Sequence, residues 1–227
     1  MDMSNRIAVL NKLRSFISES RADKFHRVAS NRTKLIKVVI EDVYQDRNAG
    51  AVFRTCDCFG IYQLAVINNL YCTKVARDIS KGAEKWLEIE TYNSENKNNT
   101  IACINDLKQN GYEVVATTPN DAEIELPEFE ITGKTAILFG TEMAGLSADA
   151  LALADKKLRI PIYGFTESFN ISVSAALTLQ SVVAKMHKSA LSWQLPEDEQ
   201  IEMEIAWILK SLGERRQDIL KLLEIEN

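Results

Sequence analysis

Histidine, cysteine and proline are scarce in this chain: 227 residues hold only two His, four Cys and four Pro. With His26 and His187 as the whole imidazole supply, a zinc site built on Cys56, Cys58, Cys72 and Cys103 is not expected. Cys56 and Cys58 lie two apart on an expected helix, so their side chains point about 200° apart. A chain of this length can bury a full core without covalent staples, and the four cysteines read as small buried hydrophobes. No apolar run approaches the roughly 18 residues of a membrane span. Met-Asp-Met-Ser-Asn-Arg at the start carries no apolar signal core, so cytoplasmic localisation is expected. No Gly-x-Gly-x-x-Gly follows a strand and no Walker pattern occurs, which removes the usual dinucleotide and nucleotide loops. Without a reactive His, a catalytic Cys context or a carboxylate pair, hydrolytic and metal-dependent chemistry have little support.

A hydrophobic share of 46% with 26% charged residues is that of a soluble globular protein. The formal net charge of −5 is unevenly spread. Residues 1–37 hold nine Lys and Arg against Asp2, Glu19 and Asp23, a local +6 that leaves −11 for the remainder. A basic arm on an acidic body fits a polyanion footprint, and equally a solvated helix face.

Hydrophobic periodicity orders the rest. Ile7, Leu10, Leu13 and Ile17 predict an amphipathic helix over 4–20. Leu35–Ile40 reads as the first core strand, Ala49–Phe59 as a helix with Gly60 as its C-cap, and Tyr62–Ile67 as the next strand. A helix over Ile101–Gln109 precedes the strand Glu113–Ala116. The strand Thr135–Phe139 precedes a short helix capped by Ser147. The segment Leu158–Pro161 forms a last strand before a long helix, Ile171–Lys188. Pro196 opens a final helix that Gly213 interrupts. Alternating strands and helices predict an α/β domain with a mainly parallel sheet and flanking helices. The expected organisation is a basic helical N-terminal extension (1–32), a core domain (33–190) and a C-terminal helical extension (191–227).

Three segments carry the chemistry. The first is Asn48-Ala-Gly-Ala-Val-Phe-Arg54-Thr55, where Asn48 can cap a helix and Arg54 sits among apolar neighbours. The second is Leu138-Phe-Gly140-Thr-Glu142-Met-Ala-Gly145, a strand running into a glycine loop. The third runs from Ile160-Pro161-Ile162 to Ser168-Phe169-Asn170-Ile-Ser172, where a strand ends and a helix of small residues begins. Taken singly, each has a plain structural reading: a snorkelling arginine, a common strand–glycine loop, an ordinary N-cap. Capping alone does not explain Pro161, Gly164, Ser168 and Asn170 together.

In type, order and spacing the three resemble the signature motifs of the SpoU/TrmH RNA ribose 2'-O-methyltransferases of the SPOUT superfamily. The resemblance spans nearly all of 33–190 and includes Lys81-Gly-Ala-Glu-Lys-Trp86. Ile162 and Phe169 depart from the family's Met and Leu but keep apolar character, which implies a reshaped adenosine pocket. The resemblance implies a deep C-terminal trefoil knot and a homodimer with the site at its interface. It also implies methyl transfer from S-adenosylmethionine (SAM) to a ribose 2'-hydroxyl, leaving S-adenosylhomocysteine. Carried over residue by residue, Arg54, Asn48, Glu142, Ser168 and Asn170 form the catalytic set. Thr117, Leu138, Gly140, Ile160, Ile162 and Phe169 hold the cofactor, and no metal is implied.

The family's proposed base is the arginine. A guanidinium ordinarily loses its proton near pH 13, so holding one neutral at pH 7 costs about 8 kcal/mol. Positioning and electrostatic stabilisation by Arg54 are therefore favoured over proton abstraction. Short helical extensions at both ends resemble the branch acting on the D-loop guanosine 18 of tRNA. Action on rRNA is the alternative, as are a non-catalytic SAM- or RNA-binding module and a purely structural dimeric module.

Overall fold

The computed structural model describes residues 2–71, 73, 82–141 and 143–222. In chain order, the helices are α1 (Met3–Arg14), α2 (Glu19–Ala29), α3 (Asp46–Cys58), α4 (Asn99–Gln109), α5 (Ala148–Leu153), α6 (Ile171–Lys188), α7 (Glu197–Leu212) and α8 (Arg216–Leu222). The strands are β1 (Thr33–Glu41), β2 (Ile61–Ile67), β3 (Glu88–Tyr92), β4 (Glu113–Thr117), β5 (Ile124–Glu125), β6 (Thr135–Phe139) and β7 (Lys156–Arg159). Two compact units result: Met1–Arg32 with Gln194–Asn227, and Thr33–Trp193.

The larger unit is a seven-stranded sheet in the order β3-β2-β1-β6-β4-β7-β5, every pairing parallel. Parallel strands need crossovers, and helices packed on both faces leave the central strands mostly buried and mostly apolar, with Lys37 and Glu41 of β1 as charged exceptions. Alternation along each strand sorts the core into two layers. Ile36, Val38 and Ile40 of β1 join Val52, Phe53 and Cys56 of α3 and Leu179, Val182 and Met186 of α6. Val39, with Ala136 and Leu138 of β6, faces Cys103, Ile104 and Leu107 of α4. Burial at about 25 cal/mol per Å² of apolar surface makes these layers the main favourable term.

The smaller unit packs α1 and α2 on α7. Leu10, Leu13, Phe25 and Ala29 are buried there, as are Ile201, Met203 and Trp207. Glu204 is buried too, and accepts from Arg14 Nη2 at 2.6 Å, with His26 Nδ1 at 2.9 Å. Arg6 pairs with Asp198 and Glu202, and the buried Arg32 lies over the Trp207 ring. Several charges counted in the basic arm are thus consumed by folding. Lys12, Lys24 and Arg27 remain exposed.

Other expectations are revised in detail. The helix expected over 4–20 stops at Arg14, where the Ser15 hydroxyl donates to the Lys12 carbonyl, and a separate helix follows from Glu19. Cys58 is exposed rather than buried: it faces away from the packed side of α3 that carries Cys56. Cys72 lies outside the described residues. Asn48 does not cap α3. The helix begins earlier, at Asp46, with Gln45 at the cap position, so Asn48 sits within the first turn. No helix among the described residues is long and apolar enough to cross a membrane.

Candidate active site

In a parallel sheet, the crevice beyond the carboxyl ends of the strands is where ligands bind. A cleft of about 970 Å³ opens at that edge, beyond β4, β6 and β7. Of the residues expected to hold a cofactor, Thr117, Gly140, Ile160, Ile162 and Phe169 line it, together with Ser168 from the expected catalytic set. Leu138 takes part through its carbonyl, which accepts from Thr117 Oγ1 at 2.7 Å and fixes that hydroxyl at the rim.

The glycine loop has a steric reason for its composition. Thr141 and Gly145 exchange backbone hydrogen bonds at 3.1 and 3.0 Å, folding the loop back on itself. A Cβ on Gly140 would meet the Gly145 carbonyl carbon at 2.1 Å, so no side chain fits. Gly145 itself has φ +70°, the left-handed region that other residues enter at a cost of about 1–2 kcal/mol. Glu142, expected at the reaction centre, lies outside the described residues, as does Lys81.

An anchor that motif reading missed fixes the far end of this loop. Glu41, buried at the end of β1, accepts from the Ser147 amide and hydroxyl, each at 2.8 Å, and from the Thr100 hydroxyl at 2.5 Å. Ser147 in turn caps α5, as its sequence position predicts. The available signal was a carboxylate closing an apolar strand. Its partners lie 59 and 106 residues away, out of reach of any local pattern.

Asn170 begins α6, and its Oδ1 accepts from the Ser172 amide at 2.9 Å and the Ser172 hydroxyl at 2.5 Å. Its amide nitrogen donates to Asn48 Oδ1 at 3.3 Å, so the first and third motifs meet directly. Arg54 is on the exposed side of α3 and does not line the cleft. Among the described residues it has no hydrogen-bond or ion-pair partner, and none joins it to Asn48. The arrangement provides a cleft of mixed polar and apolar lining, flanked by an amide pair, with a cation that has no partner among the described residues on the helix that carries Asn48.

Known proteins are similar to this chain in sequence and fold. A tRNA (guanosine(18)-2'-O)-methyltransferase of Borreliella burgdorferi is 36% identical over 206 residues, covering 91% of each chain. The crystal structure described as an A. aeolicus TrmH/SpoU tRNA modifying enzyme superposes with TM-score 0.76 at 26% identity, covering 86% of this chain and 98% of that one. The SpoU methyltransferase AviRb from Streptomyces viridochromogenes, solved in complex with the cofactor AdoMet, shares the fold at TM-score 0.60 and 22% identity, over 72% and 62% of the chains. The family model described as the SpoU rRNA Methylase family matches residues 35–180. With that match and the 36% relative, this chain belongs to the SpoU methylase family.

Proposed function

We propose that this protein transfers the methyl group of SAM to a ribose 2'-hydroxyl of RNA, its substrate being guanosine 18 in the D-loop of tRNA, and that it works in the cytoplasm as a homodimer. The observation that carries the reading is the meeting of the Asn48 motif with the Asn170 motif beside a glycine-looped cleft. The relative at 36% identity supports the choice of tRNA over rRNA.

The cleft suits an adenosine. Ile160, Ile162, Leu146 and Phe169 offer apolar surface, and the loop at Gly140 brings backbone polar groups close with no side chain in between. Thr117, Leu138, Gly140, Ile160, Ile162 and Phe169 would hold SAM, which when bound supplies an electrophilic methyl group on sulfur. Ser168 and Asn170 would orient the ribose. Asn48, tied to Asn170, would keep that side chain in register with α3. Arg54, charged and uncommitted, would bind the phosphate and stabilise negative charge growing on the 2'-oxygen. Glu142 would complete the ribose site. Alignment of hydroxyl and methyl in line does most of the work in such a displacement.

A second copy of the chain is the expected partner. Tyr163, Phe165, Val173 and Leu177 are exposed along the third motif and the start of α6, an apolar surface that a homodimer would cover. The same family reading expects the C-terminal part of the core to be threaded as a deep trefoil knot.

Incubation with labelled SAM and unmodified tRNA or rRNA, followed by mapping of the 2'-O-methylated nucleotide, tests the proposal. Label at the D-loop guanosine is the expected result. Label in rRNA alone would overturn the substrate, and label in neither would overturn the activity.

A further inference from the structure

Two tyrosines stand exposed at the carboxyl edge of the sheet with no part in the cleft. Tyr44 lies between β1 and α3, and Tyr71 lies four residues beyond β2. Because β1 and β2 are parallel neighbours, their following loops emerge side by side. The rings stack edge to face at a centroid distance of 5.1 Å and an interplanar angle of 73°. Tyr44 is 71% exposed, Tyr71 42% and the adjoining Leu70 78%.

An exposed aromatic pair on a loose loop would mean little, but this loop is tied down from beneath. Asp42 is buried at φ +49° and its Oδ1 accepts from the amides of Asn69, Leu70 and Tyr71 at 2.7, 2.8 and 3.4 Å. Further along, Thr73 Oγ1 donates to the Val43 carbonyl at 3.2 Å, and Asn68 Oδ1 accepts from the Thr73 amide at 3.1 Å. Asn69 donates to Thr100 Oγ1 at 2.9 Å. The amides gathered on the Asp42 carboxylate fix this stretch of backbone, and they hold apolar side chains outward in water. Such an arrangement points to a ligand that covers it.

Charge identifies the ligand class. Arg47 and Arg54 are seven apart on α3, hence on one face, and both are exposed. Neither has a partner among the described residues, whereas the acids of the same helix, Asp46 and Asp57, are engaged. Flat π-surfaces on the loop that leads into a helix with two exposed guanidinium groups suit a polyanion with stackable faces, an unpaired stretch of RNA.

We infer that Tyr44 and Tyr71 form a stacking platform for an unpaired RNA base next to the nucleotide being methylated, with Arg47 on the adjoining phosphate. This rests on the proposed RNA-methylating activity and adds the residues that present its substrate. Rigid aromatic rings lose little entropy on stacking, so the platform adds affinity without touching the reacting atoms.

The test is equilibrium binding of an unmodified tRNA transcript to the full chain in the presence of S-adenosylhomocysteine, across a salt series. The proteins are wild type, Tyr44→Ala, Tyr71→Ala, the double alanine variant, and Tyr44→Phe with Tyr71→Phe. Each alanine should raise Kd about 5- to 150-fold, the range for one lost base stack, with the salt slope unchanged. The phenylalanine variants should stay within about twofold of wild type because the π-face survives, and SAM affinity should not move. Arg47→Ala should weaken binding and lower the salt slope by about one. Unchanged tRNA affinity in the double alanine variant overturns the inference, as does equal loss with phenylalanine and alanine. A change in the alanine variants' mass by light scattering also overturns it, since the pair would then be a contact between copies. If wild type binds tRNA in a Tyr-dependent way but methylates none, the platform stands and the activity falls. If it binds no tRNA at all, both fall.

Discussion

Asn170 Nδ2 donates to Asn48 Oδ1 across 3.3 Å, joining residues 122 apart in the chain. Asn170 meanwhile caps α6 through its other amide atom. One side chain thus starts a helix and is bonded to a second helix, the one that carries Arg54.

Separating these two roles is a matter of substitution. Asn170→Asp keeps the capping oxygen but removes the donor, and should leave thermal stability nearly intact while lowering the methylation rate. Asn170→Ala should in addition cost about 1 kcal/mol of stability. Melting curves beside single-turnover rates check this, and equal loss of stability in both variants would show that the bond to Asn48 is structural.

Glu41 makes a sharper stability prediction. Glu41→Ala strands the buried Thr100 hydroxyl and removes the acceptor of the half-buried Ser147 amide bond, and should cost about 1–3 kcal/mol in chemical denaturation. Glu41→Gln retains one acceptor oxygen and should cost less. Because the loop 140–147 ends on this anchor, SAM affinity, read by calorimetry, should fall in step with stability.

Gly140 admits no substitution. Gly140→Ala forces the backbone at 140 and 145 apart, and should destabilise by about 1–3 kcal/mol while abolishing SAM binding. Gly145→Ala meets open space and pays only for its left-handed φ, about 1–2 kcal/mol. Weak but measurable SAM binding should survive in that variant.

Alkaline stability has a definite sign. Burial pushes the Cys103 thiol up to about 12, with the nearby Lys37 opposing, and burial likewise lifts the Tyr112 phenol to about 12. Both groups are raised on folding. Their contribution is therefore full below the unfolded values, near pH 9 to 10, and is lost as pH rises through about 12. Urea midpoints should fall steadily across that window, and Cys103→Ala should flatten part of the slope. The same burial keeps Cys56 and Cys103 from alkylating at pH 8, whereas Cys58 should label readily in peptide mass mapping.

How far the chain could be read without its tertiary structure depended on whether each signal was local. Thr135–Phe139 and the start of Ile171–Lys188 were legible to the residue, because an apolar run and a capped small-residue helix mark those ends. The strand β3, Glu-Ile-Glu-Thr-Tyr, was not read, since as an outer strand it is largely exposed and its composition resembles a loop. The helix α2 was missed because its buried face amounts to Phe25 and Ala29. At the site, Thr117, Gly140, Ile160, Ile162, Ser168 and Phe169 were all named from motif likeness, and all meet at one cleft.

By itself the amino-acid order determined the α/β class and most of the succession of elements, which follow from periodicity and capping, and its resemblance to a known family supplied the residues of a methyl-transfer site. Only the tertiary structure decided which of those residues touch. It placed Asn48 against Asn170, tied Glu41 to Ser147, spent Arg6, Arg14 and Arg32 inside the helical unit, stacked Tyr44 on Tyr71, and left Arg47 and Arg54 exposed with no partner among the described residues. The reason is geometric. In a parallel sheet, neighbouring strands are set by crossovers that can join distant segments, so partners across the sheet edge carry no signature in local spacing.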